Sequence, residues 1–283
     1  RNSRQRGDMR RYATQHMRSH ARACTWHHTV RKLSSALEHT NGLVSYLRHP
    51  SRDQELYLIG TVHISKQSSR MVTDIVASVK PDVVMVELCA ARRDKVMAMA
   101  RGQGETVLDS LLRATGVTKQ GAAQYVGAGL MHSLDMYFRG NEMLAGIEAA
   151  EKVNAQVLLG DQEASRTMSR LREAASQMSP FDMMRLVQGC VMPKFKDEKT
   201  KQLYERLWQV SSSGGEAPLP SRDQMAASMS YMKEIMPAPI LAAMLTERDE
   251  HMARQLLASR AHRIVGIVGM AHMDGIERVY KAG

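Results

Sequence analysis

LYLIGTVHIS, residues 56–65, is an apolar run of strand length that ends in glycine, threonine and histidine. Three other runs have the same character, namely DVVMVEL at 82–88, AQVLLGD at 155–161 and HRIVGIVGMAH at 262–272. Runs that are apolar at nearly every position are typical of strands covered on both faces, as in a parallel sheet. The four runs therefore predict four strands of one mostly parallel sheet.

The segment between the first two runs has the periodicity of a helix. Met71, Ile75 and Val79 lie four positions apart, which places them on one helical face. Pro81 ends this pattern, because the residue before a proline disfavours helical geometry. A helix between two strand-like runs predicts a β-α-β unit.

Most of the remaining sequence is helical in pattern. Residues 90–153 and 163–260 carry apolar residues at helical spacing, with short breaks of glycine and proline. The 22 methionines of the chain are expected to fill irregular gaps between these helices. We predict an α/β fold for residues 53–283, with a mostly parallel central sheet, flanking helices and a large helical insertion around residues 163–260.

Residues 1–52 are strongly basic. They hold 11 of the 39 lysines and arginines but only 2 of the 29 acidic residues, so most of the net charge of +10 belongs to them. A composition rich in Arg, His and Ser and poor in acids resembles a mitochondrial presequence. The alternative is a basic tail that contacts phosphate or an acidic partner. We predict a basic N-terminal arm, presequence-like or partner-binding, and a mitochondrial location.

Other features of the composition disfavour several classes of protein. The arm offers little aromatic interleaving, with Tyr12 and Trp26 in its most basic part, and no helix-turn-helix or RNA-binding motif is found, so we predict no nucleic-acid partner. No stretch reaches the roughly 18–20 apolar residues of a membrane span, so we predict no transmembrane span in this chain. Cys24, Cys89 and Cys190 are scattered, which argues against a disulfide framework and a CxxC zinc site.

Each apolar run ends in a residue that can take part in chemistry. These residues are His63, Glu87, Asp161 and His272. Parallel strands end at the same edge of a sheet, and open α/β sheets bind ligands in the crevice beside that edge. The two histidines also close similar motifs, GTVH and GMAH, whose glycines permit a sharp turn or a close approach. We therefore predict that two imidazoles and two carboxylates share one cleft.

Each of these residues also has a structural alternative. A single histidine can be a hydrogen-bonded residue at the start of a loop. Glu87 can form a salt bridge with Arg92 or Arg93, and Asp161 can cap a helix that begins near Gln162. The prediction of a shared cleft therefore depends on the strand ends meeting at one edge.

The motifs at the strand ends form a specific combination. Two GxxH motifs are joined by a VEL followed by arginine, a GD before a threonine and an arginine, and an ERD before the last strand. The stretches that carry them are LIGTVHISKQS, VKPDVVMVELCAARR, LLGDQEASRTMSR, LTERDEHMARQL and VGIVGMAHMDGI. Together they resemble the TraB domain family, which includes the PrgY and GumN proteins and is distantly related to the TIKI metalloproteases. The likeness is to a eukaryotic, mitochondrial-type member.

The resemblance implies an α/β fold with a helical insertion and an active site at the strand ends. It places the following residues in that site: His63, Glu87, Arg92, Asp161, Glu247, Arg248 and His272. It also implies that the paired GxxH motifs, through His63 and His272, bind a divalent metal, either Mn, Zn or Fe, for a peptidase-like hydrolysis, with Glu87 as a further metal ligand or as the general base. Arg92 or Arg248 would then hold an anionic part of the substrate.

One position departs from the family pattern. Gln162 follows Asp161 where the family usually has arginine, and the exchange removes a bidentate donor. This departure supports a second hypothesis, a non-catalytic accessory or structural subunit of a mitochondrial membrane-associated complex whose arm docks on protein partners. The resemblance also leaves peripheral membrane association open. Whether the chain is an enzyme is undecided between the two hypotheses.

Overall fold

A five-stranded sheet forms the centre of the computed structural model, which describes residues 40–62, 66–101, 141–191, 197–198, 201–202, 205 and 219–283. The strands are β1 (Val44–Arg48), β2 (Glu55–Thr61), β3 (Val83–Val86), β4 (Gln156–Leu159) and β5 (Arg263–Gly269). They follow the order β1-β2-β5-β3-β4, and every neighbouring pair except β1 with β2 is parallel. The predicted mostly parallel sheet and its four predicted strands are confirmed.

Helices surround this sheet. They are α1 (Lys66–Val79), α2 (Ala90–Ala100), α3 (Asn141–Lys152), α4 (Ala164–Ser176), α5 (Pro180–Val191), α6 (Arg222–Ile235), α7 (Ala238–Leu241), α8 (Glu247–Ala258) and α9 (Met273–Ala282). A π-helical turn, Ala242–Thr246, joins α7 to α8, and a 3-10 turn, Met270–His272, leads from β5 into α9. The predicted α/β class is confirmed. Among the helices of the described residues, none is both long and apolar enough to cross a bilayer.

The central strands β2, β3 and β5 are buried on both faces, as their apolar runs predict, whereas the edge strand β4 is only partly buried. On one face, Met85 packs in a cluster with Leu256 of α8 and Tyr280 of α9. On the other face, α3 packs on β3, β4 and β5, so closely that a Cβ on Gly146 would lie 2.3 Å from Ile267 Cδ1. Burying one large apolar side chain contributes about 1.5–3 kcal/mol, so this double coverage supplies much of the stability.

The β2-α1-β3 connection is the predicted β-α-β unit, and β5 lies between its two strands. Ile75 and Val79 of α1 are buried, as the helical periodicity predicts. The Oγ of Ser68 accepts a hydrogen bond of 3.0 Å from the backbone N–H of Val62, which ties the first turn of α1 to the end of β2. Lys80 follows the helix with a φ of 49°, a left-handed conformation that is common just after a helix ends.

The edge strand β1 is a feature that the sequence analysis does not predict. Residues 44–48 fall in the predicted arm, yet in the structure they pair antiparallel with β2. Leu47 is buried while Tyr46 and Arg48 are exposed, an alternation that suits a strand with one solvated face. Five residues with this alternation do not form an apolar run. Residues 1–39 of the predicted arm lie outside the described residues.

The predicted helical insertion at 163–260 contains α4 to α8. These helices are connected to the sheet through α8, which packs on α9. Residues 192–196, 199–200, 203–204 and 206–218 of the insertion lie outside the described residues. The insertion therefore places α8, with the ERD sequence at its start, beside the carboxyl edge of the sheet.

Candidate functional site

A buried cluster of charged residues lies at the carboxyl edge of the sheet. Glu87 follows β3, Asp161 follows β4 and His272 follows β5, and their exposed fractions are 2%, 7% and 4%. Arg248 of α8 is 7% exposed and contacts all three. The structure therefore brings these predicted residues together. The Arg248 cluster, as we name it, consists of Glu87, Arg92, Asp161, Arg248, Asp249 and His272.

Arg248 lies at the centre of the cluster. Its Nε donates to Oδ1 of Asp161 at 3.0 Å and its Nη2 donates to Oδ2 at 2.9 Å, which makes a bidentate pair. Nη2 also donates to Oε1 of Glu87, and Nη1 lies 3.1 Å from Nε2 of His272. Nη1 donates further to the carbonyl oxygen of Met244 at 3.3 Å. One planar guanidinium thus connects the ends of β3, β4 and β5, which a lysine ammonium could not do with the same geometry.

Glu87 connects β3 to β5 through the backbone. Its Oε2 accepts a hydrogen bond of 2.6 Å from the N–H of Gly269, the first residue of the GMAH motif. Its Oε1 is paired with Arg248, whereas Arg92 is paired with Asp161 and Arg93 with Asp94. A buried carboxylate is tolerated when charge-assisted hydrogen bonds replace its hydration. Glu87 has such bonds on both oxygens.

His272 is held at both ring nitrogens. Its Nδ1 lies 2.5 Å from Oδ1 of Asp249, and its Nε2 lies 3.1 Å from Nη1 of Arg248 and 3.4 Å from Oε1 of Glu87. A neutral ring donates through Nδ1 to Asp249 and accepts from Arg248 at Nε2. An imidazolium donates through Nε2 to Glu87 instead. The site therefore offers partners to both protonation states of His272.

The charges around His272 favour its protonated form. Burial, the largest influence, lowers its pKa, but the charge of Glu87 and hydrogen bonds to Asp249 and Glu87 outweigh it and raise the pKa to about 9. Burial also raises the pKa of Asp249, although the hydrogen bond and the charge of His272 oppose that shift. With His272 protonated, the cluster has three carboxylates and three cationic groups. This balance explains how so many charges are buried together.

Arg92 extends the cluster toward the surface. Its Nη1 donates to Oδ2 of Asp161 at 3.1 Å, and 28% of its side chain is exposed. Asp161 also accepts a hydrogen bond of 2.9 Å from the N–H of Gln162. Glu163 is the N-cap of α4, so the alternative in which Asp161 caps this helix is wrong. Gln162 is buried, and its amide donates to Oγ1 of Thr167 at 2.9 Å.

Glu247 is the predicted site residue that the structure does not bring into the cluster. Its carboxylate accepts from Nη2 of Arg170 at 2.7 Å and from Nε at 3.0 Å. The hydrogen bonds from Arg170 lower the pKa of Glu247. Successive helical residues are separated by about 100°, so Glu247 points to α4 while Arg248 and Asp249 point to the sheet edge. A catalytic role for Glu247 stays a prediction.

The first GxxH motif is described only in part. Gly60 permits the predicted close approach, because a Cβ at this position would lie 2.2 Å from Sδ of Met273. His63 lies outside the described residues. The predicted convergence of His63 with His272 therefore stays a prediction.

Asp249 is the member of the cluster that the sequence analysis does not identify. It is 5% exposed, and it orients His272 through the contact at Nδ1. The ERD sequence at 247–249 contains it, but the motif singles out Glu247 and Arg248 only. The signal that could have identified it is its position beside Arg248, since both side chains lie on the buried side of α8.

Replacing Gly275 with alanine is expected to lower the free energy of unfolding by about 1–3 kcal/mol, the usual cost of overpacking a filled site. A Cβ at position 275 would lie 1.9 Å from Oδ2 of Asp249 and 2.9 Å from its Cβ. Asp249 would then have to leave its place beside His272. Urea denaturation followed by circular dichroism measures the change.

The control for this prediction is a double-mutant cycle. In the background of Asp249→Ala, the carboxylate at position 249 is absent, so the methyl group added by Gly275→Ala has less to clash with. The loss in free energy of unfolding caused by Gly275→Ala should therefore be smaller. Equal losses in the two backgrounds would show that the contact with Asp249 is not the cause.

A cavity of about 300 Å³ lies beside the cluster. Glu87, Arg248 and His272 form its polar end. The rest of its lining is mainly apolar and comes from α6, from the π-helical turn and from the ends of β2 and β5. These residues are Thr61, Val62, Met225, Met229, Met232, Met236, Leu241, Met244, Leu245, Gly269, Met270 and Ala271. A ligand in this cavity would contact the cluster directly.

The described donors do not fit a divalent metal ion as they are arranged. Oxygens of Glu87 and Asp161 are engaged by the Arg248 guanidinium, and Nε2 of His272 faces the same group. A metal cation at this point would be adjacent to a buried positive charge, which is strongly unfavourable. Within the described ranges, no group of three or more His, Cys, Asp or Glu side chains is arranged to hold a metal.

Comparisons with known proteins cover most of the chain. The TraB/PrgY/gumN family matches residues 48–282. An uncharacterised protein of Methanocaldococcus jannaschii is 28% identical over 240 residues, which cover 80% of this chain and 53% of that protein. The TraB domain-containing proteins of Homo sapiens and Bos taurus are also 28% identical over 240 residues, which cover 79% of this chain and 62% of each. The chain thus spans between 53% and 62% of the length of these relatives. Because the family match includes β2 to β5 and every residue of the Arg248 cluster, the chain belongs to the TraB/PrgY/gumN family.

Proposed function

We propose that this chain is a peptidase-like hydrolase whose substrate lies in the cavity against the Arg248 cluster. The observation that carries the proposal is the buried His272, which is bonded to Asp249 and lines the cavity beside Glu87. A titratable group with a shifted pKa beside a cavity is a candidate for acid–base catalysis.

His272 is the proton donor in the proposed reaction. At neutral pH its raised pKa keeps the ring protonated, so Nε2 can give a proton to a leaving amine. Glu87 lies 3.4 Å from Nε2 and is the carboxylate that would take a proton from the attacking water. Arg248 would stabilise negative charge on the carbonyl oxygen, and Arg92 would hold an anionic part of the substrate. Asp161 positions both guanidiniums.

A metal-dependent form of the proposal would use a divalent Mn, Zn or Fe ion held by His63, His272 and Glu87. The described donors do not fit such an ion while Arg248 engages them, so no step above passes through a metal. Metal analysis of the purified chain tests this form, with His63→Ala as the comparison. Bound metal that is lost in His63→Ala would support it. A folded, active chain without stoichiometric metal would contradict it.

Turnover by the purified chain tests the hydrolase proposal. We expect His272→Gln to lower kcat on a library of quenched fluorescent peptides by about 10²- to 10⁴-fold, the usual effect of losing a general acid or base. Arg254→Met is the matched control, because Arg254 is an exposed residue of α8 paired with Glu250. Circular dichroism establishes that each variant is folded. Unchanged kcat in His272→Gln, or no turnover by the folded wild-type chain, would contradict the proposal.

One observation favours a second candidate, an accessory or structural subunit of a mitochondrial membrane-associated complex. The carboxylates of Glu87 and Asp161 are already paired with Arg248, which suits a framework that fixes three strand ends. The basic arm, residues 1–52, would then dock on an acidic protein partner. Native electrophoresis of mitochondrial extracts tests this candidate. Migration in a large complex that is lost when Arg10 and Arg11 are changed to glutamate would support it, and migration as a monomer would contradict it.

The mitochondrial location is proposed from the composition of the arm alone. Cell fractionation with a C-terminal epitope tag on the chain tests it. Recovery with mitochondrial markers would support the proposal, and recovery with cytosolic markers would contradict it. The same fractions, washed with carbonate, would show whether the chain associates peripherally with a membrane.

A further inference from the structure

The methionines of α6 form one continuous wall of the cavity. Met225, Met229, Met232 and Met236 are separated by four, three and four positions, so they lie on one face of the helix and its end. The first three are half-buried rather than buried. Side chains that only filled a gap in the core would be covered on all sides. This wall is instead in contact with open space, beside the polar end of the cavity.

The wall is suited to a flexible apolar ligand. Methionine has three rotatable bonds and a polarizable sulfur, so a surface rich in it adapts to the shape of what it binds. Met244, on the π-helical turn, adds a further thioether and is 39% exposed. The volume of about 300 Å³ is at the small end of the range for ligand sites. An aliphatic chain fits these properties better than a large rigid ring system.

The charges of the cluster restrict the polar part of the ligand. In the Arg248 cluster, three carboxylates, Glu87, Asp161 and Asp249, are balanced by two guanidiniums and the protonated His272, and these cations are already paired with the carboxylates. Glu87 lines the cavity directly. A free carboxylate placed at this end would add a fourth negative charge to a buried cluster whose cations are already paired, which is unfavourable. An uncharged amide or ester carbonyl accepts hydrogen bonds without adding charge.

We propose that this cavity binds an aliphatic chain attached to an uncharged amide or ester carbonyl. The apolar chain lies along the methionine wall, and the carbonyl lies at the polar end beside Arg248 and His272. The inference goes beyond the proposed hydrolase, because binding requires no turnover. A chain without catalysis would still have this site.

Calorimetric titration of the full chain with three small probes tests the proposal. We expect octanamide to bind saturably, octanoate to bind about tenfold more weakly or worse because of its charge, and acetamide to show no saturation. Octanoate that binds as tightly as octanamide would overturn the proposal. So would the absence of saturable octanamide binding to the folded chain.

Matched lysine substitutions locate the binding site. Met229→Lys places a charge in the methionine wall and is expected to weaken octanamide binding by about tenfold or more. Met168→Lys is the control, because Met168 of α4 is 49% exposed and does not line the cavity. Met229→Leu keeps an apolar side chain and should retain binding, which separates loss of the site from loss of folding. Equal effects of the two lysine variants would overturn the proposal.

A fourth probe identifies the source of the aliphatic chain. N-acetylmethioninamide carries its apolar chain as an amino-acid side chain, whereas octanamide carries it as an acyl group. Binding of both octanamide and N-acetylmethioninamide supports the site and indicates that its ligand is an amino-acid side chain. Binding of octanamide alone supports the site and indicates that its ligand is an acyl group. Octanamide binding by the wild-type chain, measured beside peptide turnover, separates the two proposals. Binding without turnover contradicts the hydrolase proposal alone, and turnover without octanamide binding contradicts the binding site alone.

Discussion

Replacing Arg248 with methionine is expected to lower the free energy of unfolding by about 3–5 kcal/mol, the usual result of removing one partner from a buried ion pair. The guanidinium is paired with both Glu87 and Asp161, and all three side chains are less than a tenth exposed. Methionine has a similar length but leaves two buried carboxylates without their cation. Urea denaturation followed by circular dichroism measures the loss.

Two further variants distinguish the stability that the buried cluster contributes from the effect of removing any positive charge from α8. Arg254→Met removes a guanidinium from the same helix, but Arg254 has an exposed side chain paired with Glu250 at i,i+4, so a loss of about 0.3–0.5 kcal/mol is expected. Arg248→Lys keeps the charge but not the bidentate geometry, and its loss should lie between those of the two methionine variants. Similar losses for Arg248→Met and Arg254→Met would show that the cluster does not stabilise the fold.

Raising the pH from about 6.5 to above 9 is expected to remove about 3 kcal/mol of stability that His272 contributes, since one pKa unit corresponds to about 1.4 kcal/mol. The pKa of His272 is raised to about 9 in the folded chain. A raised pKa means that the folded state holds the proton more tightly than the unfolded state. The contribution is therefore complete below the unfolded pKa and disappears as the pH rises through the folded pKa.

His272→Gln is the reference for this measurement, because it lacks the titrating ring. The difference in free energy of unfolding between wild type and His272→Gln should shrink between pH 6.5 and pH 9.5. Among the described residues, the charged groups that contact the ring are Asp249 and Arg248 from α8 and Glu87 from the end of β3. His262→Gln serves as the control, because His262 is 45% exposed. A constant difference across this pH range would contradict the prediction.

The sheet and the strand-end residues of the cluster could be predicted from sequence because both depend on local patterns, whereas Arg92 and Arg248 were expected only from the family resemblance. A strand buried on both faces has apolar residues at nearly every position, so four of the five strands were visible as runs. The direction of parallel strands then required their ends to share one edge. Glu87, Asp161 and His272 followed from this rule without any knowledge of side-chain contacts.

The contacts of Arg248 and the role of Asp249 could not be predicted from the sequence, because they depend on contacts between distant segments of the chain. The approach of α8 to the strand ends joins residues far apart in the chain, and no local pattern records that Arg248 contacts Glu87, Asp161 and His272 together. Asp249 was missed because an acidic residue in the first turn of a helix is usually explained by the helix dipole. Here its carboxylate is buried against His272 instead.

The π-helical turn at Ala242–Thr246 sets the directions in which the next three residues point from the helix axis. These residues, Glu247, Arg248 and Asp249, form a charged triplet. Such a turn has one residue more than an α-helical turn, so it rotates the residues after it by about 100° relative to a regular helix. In an uninterrupted α-helix, the direction now taken by Arg248 would pass to a neighbouring residue. The extra residue of this turn therefore determines which member of the triplet lies between the carboxylates of Glu87 and Asp161.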